Sequence, residues 1–277
     1  MGRDLRVTAR NAAFQQWQAL LSNRTKRQRA GEFLVQGVRP ISLAVEYRWP
    51  VRAVLYDMDR SLSRWAEDIL YEVSGAQHVA MSPELLRELG EKDGADQTPE
   101  LLAVVAMPSD ELSRITVGPD FLGAVFDRPT SPGNIGTIMR SVDAFGGSGV
   151  IVSGHAADPY DPKAVRASTG SLFATPVVRA PSAKEVLAWV EEIRARGVAL
   201  SLVGTDEDGD ADISDHDLTG PSLLLIGNET SGLSAAWREA CDTMVRIPMT
   251  GSASSLNAAN AATVILYEAA RQRGAQR

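Results

Sequence analysis

Apolar residues along this chain fall into short runs bounded by turn residues, and two series of such runs follow one another. In the first, Ala12, Ala13, Trp17, Leu20 and Leu21 recur at a helical spacing and predict a helix over residues 1–23. Glu32-Phe33-Leu34-Val35-Gln36-Gly37 then predicts a strand, 40–47 a helix, 53–56 a strand and 62–73 a helix. Ser82-Pro83-Glu84 opens another helix, with a capping serine and proline at the first helical position, and 101–106 predicts a further strand. Met107-Pro-Ser-Asp breaks the pattern, which gives an expected division into a first domain over 1–107, a linker over 108–119 and a second domain over 120–277.

The second series alternates more regularly. Strands are expected at 123–126, 150–152, 177–178, 199–203, 223–226 and 245–247, with helices at 134–145, 160–168, 182–195, 234–240 and 255–271. Such alternation implies an α/β fold with a mostly parallel sheet covered by helices, and ligands of such sheets sit at the carboxyl ends of the strands.

With 277 residues and 44% hydrophobic content, the chain is long enough to bury two modest cores. Its apolar runs, such as 223–226 and the polar-interrupted 258–266, fall far short of a bilayer span, so no membrane partner is expected. Met1-Gly2 is followed by Arg6 where a myristoylation signal wants Ser or Thr, and an apolar signal-peptide core is not found. A single cysteine, Cys241, rules out an internal disulfide framework, and His78, His155 and His216 are too scattered to assemble a zinc site. The expectation is a cytoplasmic protein without a metal.

Net charge changes this picture through its distribution. The total is −7, yet residues 1–52 hold ten basic groups against three acidic ones, while the remainder holds 18 against 32. A basic segment beside an acidic one points to nucleic-acid contact through the basic part, although a solvated helix face explains the same charges. Arg24, Lys26, Arg27 and Arg29 form its densest cluster.

Three segments after predicted strands carry candidate chemistry. In the first, Asn134-Ile-Gly136-Thr-Ile-Met-Arg140 enters a helix whose apolar stripe is Ile135, Ile138, Met139 and Val142, with Asn134 placed as its N-cap. The second, Gly227-Asn-Glu229-Thr-Ser-Gly232-Leu, is a loop of small residues that brings backbone toward whatever lies above the strand end. It lacks the lysine of a phosphate loop, and Gly146-Gly147-Ser148-Gly149 precedes a strand rather than following one, which weakens NTPase and dinucleotide readings. The third runs from Ile247-Pro-Met249 through Ser254-Ser255-Leu256-Asn257 into an Ala-rich helix, with Ser254 or Ser255 available as its cap.

In order and in position after strands, these segments resemble the three motifs of the SpoU (TrmH-type) ribose 2′-O-methyltransferases of the SPOUT superfamily. The resemblance covers residues 120–270, and it implies a deep trefoil knot in the C-terminal sheet, S-adenosylmethionine as cofactor, and a homodimer. It implies that Gly227, Asn228 and Glu229, with Ile247, Met249, Ser255, Leu256 and Asn257, hold the cofactor, and that Val203, Gly204 and Thr205 form a third wall. Asn134, Arg140, Glu229, Ser255 and Asn257 become the catalytic group, with Arg140 as the family's catalytic arginine and Arg166 near it. The first hundred residues resemble the family's L30e-like substrate-binding domain through Arg29-x-x-x-Phe33-Leu34-Val35-Gln36-Gly37, with Gln36 where an acidic residue is usual.

A sulfonium methyl is already activated, so the enzyme must chiefly hold a ribose hydroxyl in line with it. Because guanidinium stays protonated, Arg140 is read as an organiser that binds phosphate and stabilises the developing alkoxide, with Glu229 orienting Asn134 or Arg140. RNA is the expected partner, contacted by Arg24, Lys26, Arg27, Arg29, Arg140 and Arg166. Within RNA, the resemblance favours 23S ribosomal RNA, in maturation or antibiotic resistance, because an extra N-terminal domain of this kind accompanies many ribosomal members of the family. The alternatives are a transfer-RNA ribose methyltransferase and a noncatalytic RNA-binding protein with the same fold.

Overall fold

The computed structural model describes residues 5–90 and 98–275; Met1, Gly2, Arg3, Asp4 and Lys92 lie outside them. Along the first part the elements are β1 (Leu5–Val7), α1 (Ala12–Ser22), α2 (Arg24–Ala30), β2 (Glu32–Gln36), α3 (Val38–Glu46), β3 (Val51–Asp57), α4 (Arg64–Glu72), β4 (Gln77–Met81), α5 (Pro83–Leu89) and β5 (Leu101–Ala106). They continue with β6 (Leu122–Asp127), α6 (Pro132–Ala144), β7 (Gly149–Ser153), α7 (Pro162–Ser168), α8 (Ser171–Ala174), β8 (Val177–Ala180) and α9 (Ala183–Ala195). The last are β9 (Ser201–Thr205), β10 (Ala211–Asp212), β11 (Ser222–Ile226), α10 (Ala235–Ala240), β12 (Thr243–Arg246) and α11 (Ala258–Gly274).

By contacts the chain forms two units, Met1–Pro108 with Tyr160–Ala174, and Ser109–Pro159 with Thr175–Arg277. The first contains a five-stranded sheet in the order β1-β4-β3-β5-β2, parallel except where β5 runs against β3 and β2. Neighbouring residues on a strand face opposite ways, so β2 sends Leu34 into the cluster of Phe14, Trp17, Leu20 and Leu86, and Phe33 to the other side. Phe33 there meets Trp49, Tyr160 and Phe173, with ring centroids 6.2, 4.9 and 6.3 Å away. The Trp49 indole also donates to the Phe173 carbonyl at 3.1 Å. This aromatic cluster explains why 160–174, read from sequence as part of the second domain, joins the first unit: α7 packs on β2 and α8 on α3.

The second unit contains a seven-stranded sheet in the order β10-β12-β9-β11-β6-β7-β8, and every pairing in it is parallel. Its strands β6, β7 and β11 are buried throughout, as near-continuous apolar runs in a two-sided sheet should be. Trp237, Phe121 and Leu223 belong to the core on one face, and α6 lies against α11, where Ser141 and Thr263 share a 2.7 Å hydroxyl hydrogen bond.

The pattern does not predict β1, α2, β4, α8 or β10, and the helix expected over residues 1–23 is confined to α1, with strand β1 ahead of it. β1 and β4 are short edge-side strands whose pairing, Leu5 to Val79 through Val7 to Met81, is fixed by the sheet. The α2 stretch Arg-Thr-Lys-Arg-Gln-Arg-Ala has no apolar stripe, and its boundaries come from caps: Asn23 accepts from the Lys26 amide, and Gly31 ends the helix at φ +67°.

Two cap assignments are corrected as well. Ser131, not Asn134, caps α6, since its hydroxyl accepts from the Asn134 amide and Pro132 takes the first position. Asn257, rather than Ser254 or Ser255, caps α11, accepting from the Ala259 and Asn260 amides.

Candidate functional site

Four loops leave the carboxyl ends of neighbouring strands β12, β9, β11 and β6, where a parallel sheet offers unpaired backbone. Three of them, with α10 and the first turns of α11, enclose a cavity of about 520 Å³, a size suited to a small-molecule cofactor. Its apolar walls are Ile226, Met244, Ile247, Met249, Leu256 and Ile265, and its polar walls are Thr205 to Asp208, Gly227 to Gly232, Ser255 and Arg238. Met249 and Leu256 are 38% and 39% exposed, apolar surface of the kind a flat ring can cover.

The loop after β11 is shaped by close backbone approach. A β-carbon at Gly227 would lie 2.5 Å from the Gly232 carbonyl carbon, so no larger residue fits, and Gly232 turns back at φ +62°. Asn228 and Gly232 exchange backbone hydrogen bonds of 3.0 Å in each direction. The Asn228 side chain caps the turn inside, accepting from the Thr230 and Ser231 amides at 2.9 and 3.1 Å.

Glu229 reaches from this loop to the start of α6. Its carboxylate accepts from the amide and hydroxyl of Thr130, both at 3.1 Å, from the Ser131 amide at 3.3 Å, and from the Asn134 side-chain amide at 3.0 Å. Asn257 donates in turn to the Asn134 oxygen at 3.3 Å. Burial pushes the Glu229 carboxyl up, but the hydrogen bonds from Asn134 and Thr130 outweigh it and hold the group below the ordinary carboxylate range. The three sequence segments thus meet in one hydrogen-bonded chain, Glu229–Asn134–Asn257.

Of the residues expected around the cofactor, Thr205, Gly227, Asn228, Glu229, Ile247, Met249, Ser255 and Leu256 line the cavity. Val203 and Gly204 do not: Val203 is fully buried, and the open side of Gly204 faces Cys241 and Met244. Asn257 stands outside the lining as the cap of α11. Arg140 is exposed, six residues beyond Asn134 and about 9 Å further along the helix axis. Among the described residues its side chain makes no ion pair or hydrogen bond. Burial and then Asp242 push the Cys241 thiol up to about 11, which keeps it protonated rather than a thiolate near neutral pH.

The basic group of the first unit needs one correction. Arg24, Lys26 and Arg29 are exposed on α2, whereas Arg27 is 2% exposed. Its guanidinium donates to the Leu20 carbonyl at 2.7 Å and the Leu21 carbonyl at 3.3 Å and pairs with Asp161 at 3.5 Å, so it is used up by the fold. Arg166 ends α7 in that same unit.

Sequence reasoning missed Asp206, Glu207, Asp208, Arg238 and the α11 face Ala258, Ala261 and Ile265, all of which line the cavity. Their signal was available: Asp206 to Asp208 directly follow a strand, and 258, 261 and 265 share one face of a helix.

The class that fold and site define is an α/β protein with a pocket at the carboxyl ends of a parallel sheet in one unit, and a second, smaller α/β unit. Residues 11–103 match the SpoU L30e-like domain and residues 122–267 match the SpoU rRNA methylase family. A 23S rRNA (uridine(2479)-2′-O)-methyltransferase of Streptomyces viridochromogenes is 67% identical over 268 residues, covering 97% of this chain and 92% of that protein. The crystal structure of the SpoU methyltransferase AviRb from the same organism, in complex with AdoMet, has a TM-score of 0.92 at 66% identity, covering 97% of this chain and all (100%) of that one. An AdoMet-bound rRNA methyltransferase from Sinorhizobium meliloti has a TM-score of 0.85 at 27% identity, covering 98% of each chain.

The chain belongs to the SpoU rRNA methylase family and is an S-adenosylmethionine-dependent RNA methyltransferase. No helix among the described residues is long and apolar enough to cross a membrane, and no group of three or more metal-ligating side chains occurs among them.

Proposed function

We propose that this protein methylates a ribose 2′-hydroxyl of 23S ribosomal RNA, with S-adenosylmethionine held in the cavity above β9, β11 and β12. One observation carries the residue assignments: Glu229 lines the cavity and also holds the first turn of α6 through Asn134. A cofactor in the cavity and a nucleotide bound at α6 therefore share one wall. The ribosomal target rests on the 67% identical relative, whose name specifies a 23S uridine 2′-oxygen.

Bound S-adenosylmethionine supplies a methyl group already activated on a sulfonium. The lining fits such a group: Ile226, Met249 and Leu256 offer surface for the adenine, while the turn 227–232 and Ser255 offer backbone and hydroxyl partners for ribose and amino acid. Asn134, fixed between Glu229 and Asn257, orients the incoming ribose. Arg140 binds the neighbouring phosphate and stabilises charge developing on the 2′-oxygen. No protein nucleophile takes part.

Arg24, Lys26 and Arg29 of the first unit, with Arg166, contact RNA phosphates. The enzyme works in the cytoplasm as a homodimer, with the knotted threading of its family, and its modification serves ribosome maturation or antibiotic resistance.

The test is transfer of labelled methyl groups to a 23S fragment, followed by mapping of 2′-O-methyl positions. Methylation of a base, or of transfer RNA alone, would overturn the assignment. RNA binding without any S-adenosylmethionine binding would favour the noncatalytic reading.

A further inference from the structure

The loop 227–232 walls the cavity, and one residue outside the lining grips it at both ends. Arg128 follows β6 and holds a left-handed backbone at φ +50°, costly for a residue with a side chain and found where surrounding contacts demand it. Its carbonyl accepts from the Asn228 side-chain amide at 2.6 Å, at the start of the turn. Its guanidinium donates to the Gly232 carbonyl at 3.1 Å, at the end. Asp127, 2% exposed, aims that guanidinium through a 3.1 Å ion pair and itself accepts from the Ser234 amide at 2.9 Å, just past the turn. Ser153 completes the support, donating to Asp127 at 3.2 Å and accepting from the Trp237 indole at 3.2 Å.

We propose that Arg128 is a positioning residue for the cofactor site: it clamps the Asn228–Gly232 turn into the shape that binds S-adenosylmethionine, without touching the cofactor. The inference rests on the reading of this cavity as the S-adenosylmethionine site. A clamp of this kind acts on affinity by preorganisation, because an unclamped turn must be ordered at the moment of binding. The planar fork is needed, since an ammonium on a flexible stem cannot reach Asp127 and the Gly232 carbonyl together.

Isothermal calorimetry with S-adenosylmethionine on the full-length protein, paired with melting of the ligand-free protein, tests it. Arg128→Ala should weaken affinity about tenfold, the size expected from losing a charge-assisted hydrogen bond. Arg128→Lys, which keeps a cation beside Asp127 and guards against misfolding of the alanine variant, should recover only part of the loss. The ligand-free melting temperature of Arg128→Lys should stay near that of wild type. Wild-type affinity in both variants, or affinity fully restored by lysine, overturns the clamp. An effect confined to ligand-free melting makes Arg128 a fold residue only and overturns it too. Wild-type protein that fails to bind S-adenosylmethionine at all removes the reading of the cavity, and the clamp with it.

Discussion

Arg27 in the first unit and Arg128 in the second perform the same chemistry with different consequences. Each donates to backbone carbonyl oxygens and pairs with an aspartate, Arg27 with Leu20, Leu21 and Asp161, Arg128 with Gly232 and Asp127. Arg27 is 2% exposed and joins the α1–α2 corner to the cap of α7, so its bonds serve the fold of the first unit. Arg128 has a side chain 36% exposed and holds a loop that walls a cavity, so its bonds serve a site. An arginine's function therefore follows from what its carbonyl partner belongs to, and neither its charge nor its neighbours in sequence reveal that.

Arg140 is the contrast to both, an arginine left free of protein partners among the described residues, and it should give the largest effect. Arg140→Ala is expected to lower methyl transfer by about 10²- to 10³-fold, the scale of losing one group that meets developing charge. Affinity for S-adenosylmethionine should stay within a few fold, and wild-type turnover would remove Arg140 from the reaction.

Arg27→Ala should strike stability rather than chemistry. Removing one partner of a buried pair leaves two carbonyls and Asp161 uncompensated, a loss on the order of 3 kcal/mol. Thermal or urea unfolding of the first unit checks this; unchanged stability would return Arg27 to the RNA-contacting group.

Neutralising Arg24, Lys26 and Arg29 together should leave the fold intact and weaken RNA binding. If all three meet phosphates, the slope of log affinity against log salt should flatten by about 2 to 3. A salt titration on one 23S fragment reads it, and an unchanged slope would mean that α2 is merely a solvated face.

A smaller effect is expected from Glu229. Its folded carboxyl lies below the ordinary 4.5, so its contribution to holding the loop is complete above that value and is lost only as pH falls through the depressed one. Cofactor affinity should therefore be flat above about pH 5 as far as this group is concerned, and an inflection there that Glu229→Gln abolishes would contradict the assignment. The smallest expected effect is none: a chelator should leave S-adenosylmethionine binding unchanged.

The alternation of strand and helix from β6 onward was legible because a sheet buried on both faces demands continuous apolar strands, and those stand out between helical stripes. The α2 helix and strands β1 and β4 were not, because caps and pairing partners make them rather than any periodicity of their own. Asn134 shows the same limit at the site. Its sequence position suited an N-cap, yet Ser131 takes that role and frees the Asn134 amide for Glu229, 95 residues away.

The sequence by itself determined the parallel sheet, the three loops at its carboxyl edge and the concentration of positive charge before residue 53. These are properties of spacing and composition, which short-range sterics and hydrophobic burial translate directly. Tertiary structure alone decided that 160–174 completes the first unit around Phe33, that Arg27 is buried while its neighbours on α2 are exposed, and that Arg128 grips both ends of a turn a hundred residues on. Each depends on which backbone group arrives opposite a side chain, a matter of long-range packing that no local pattern encodes.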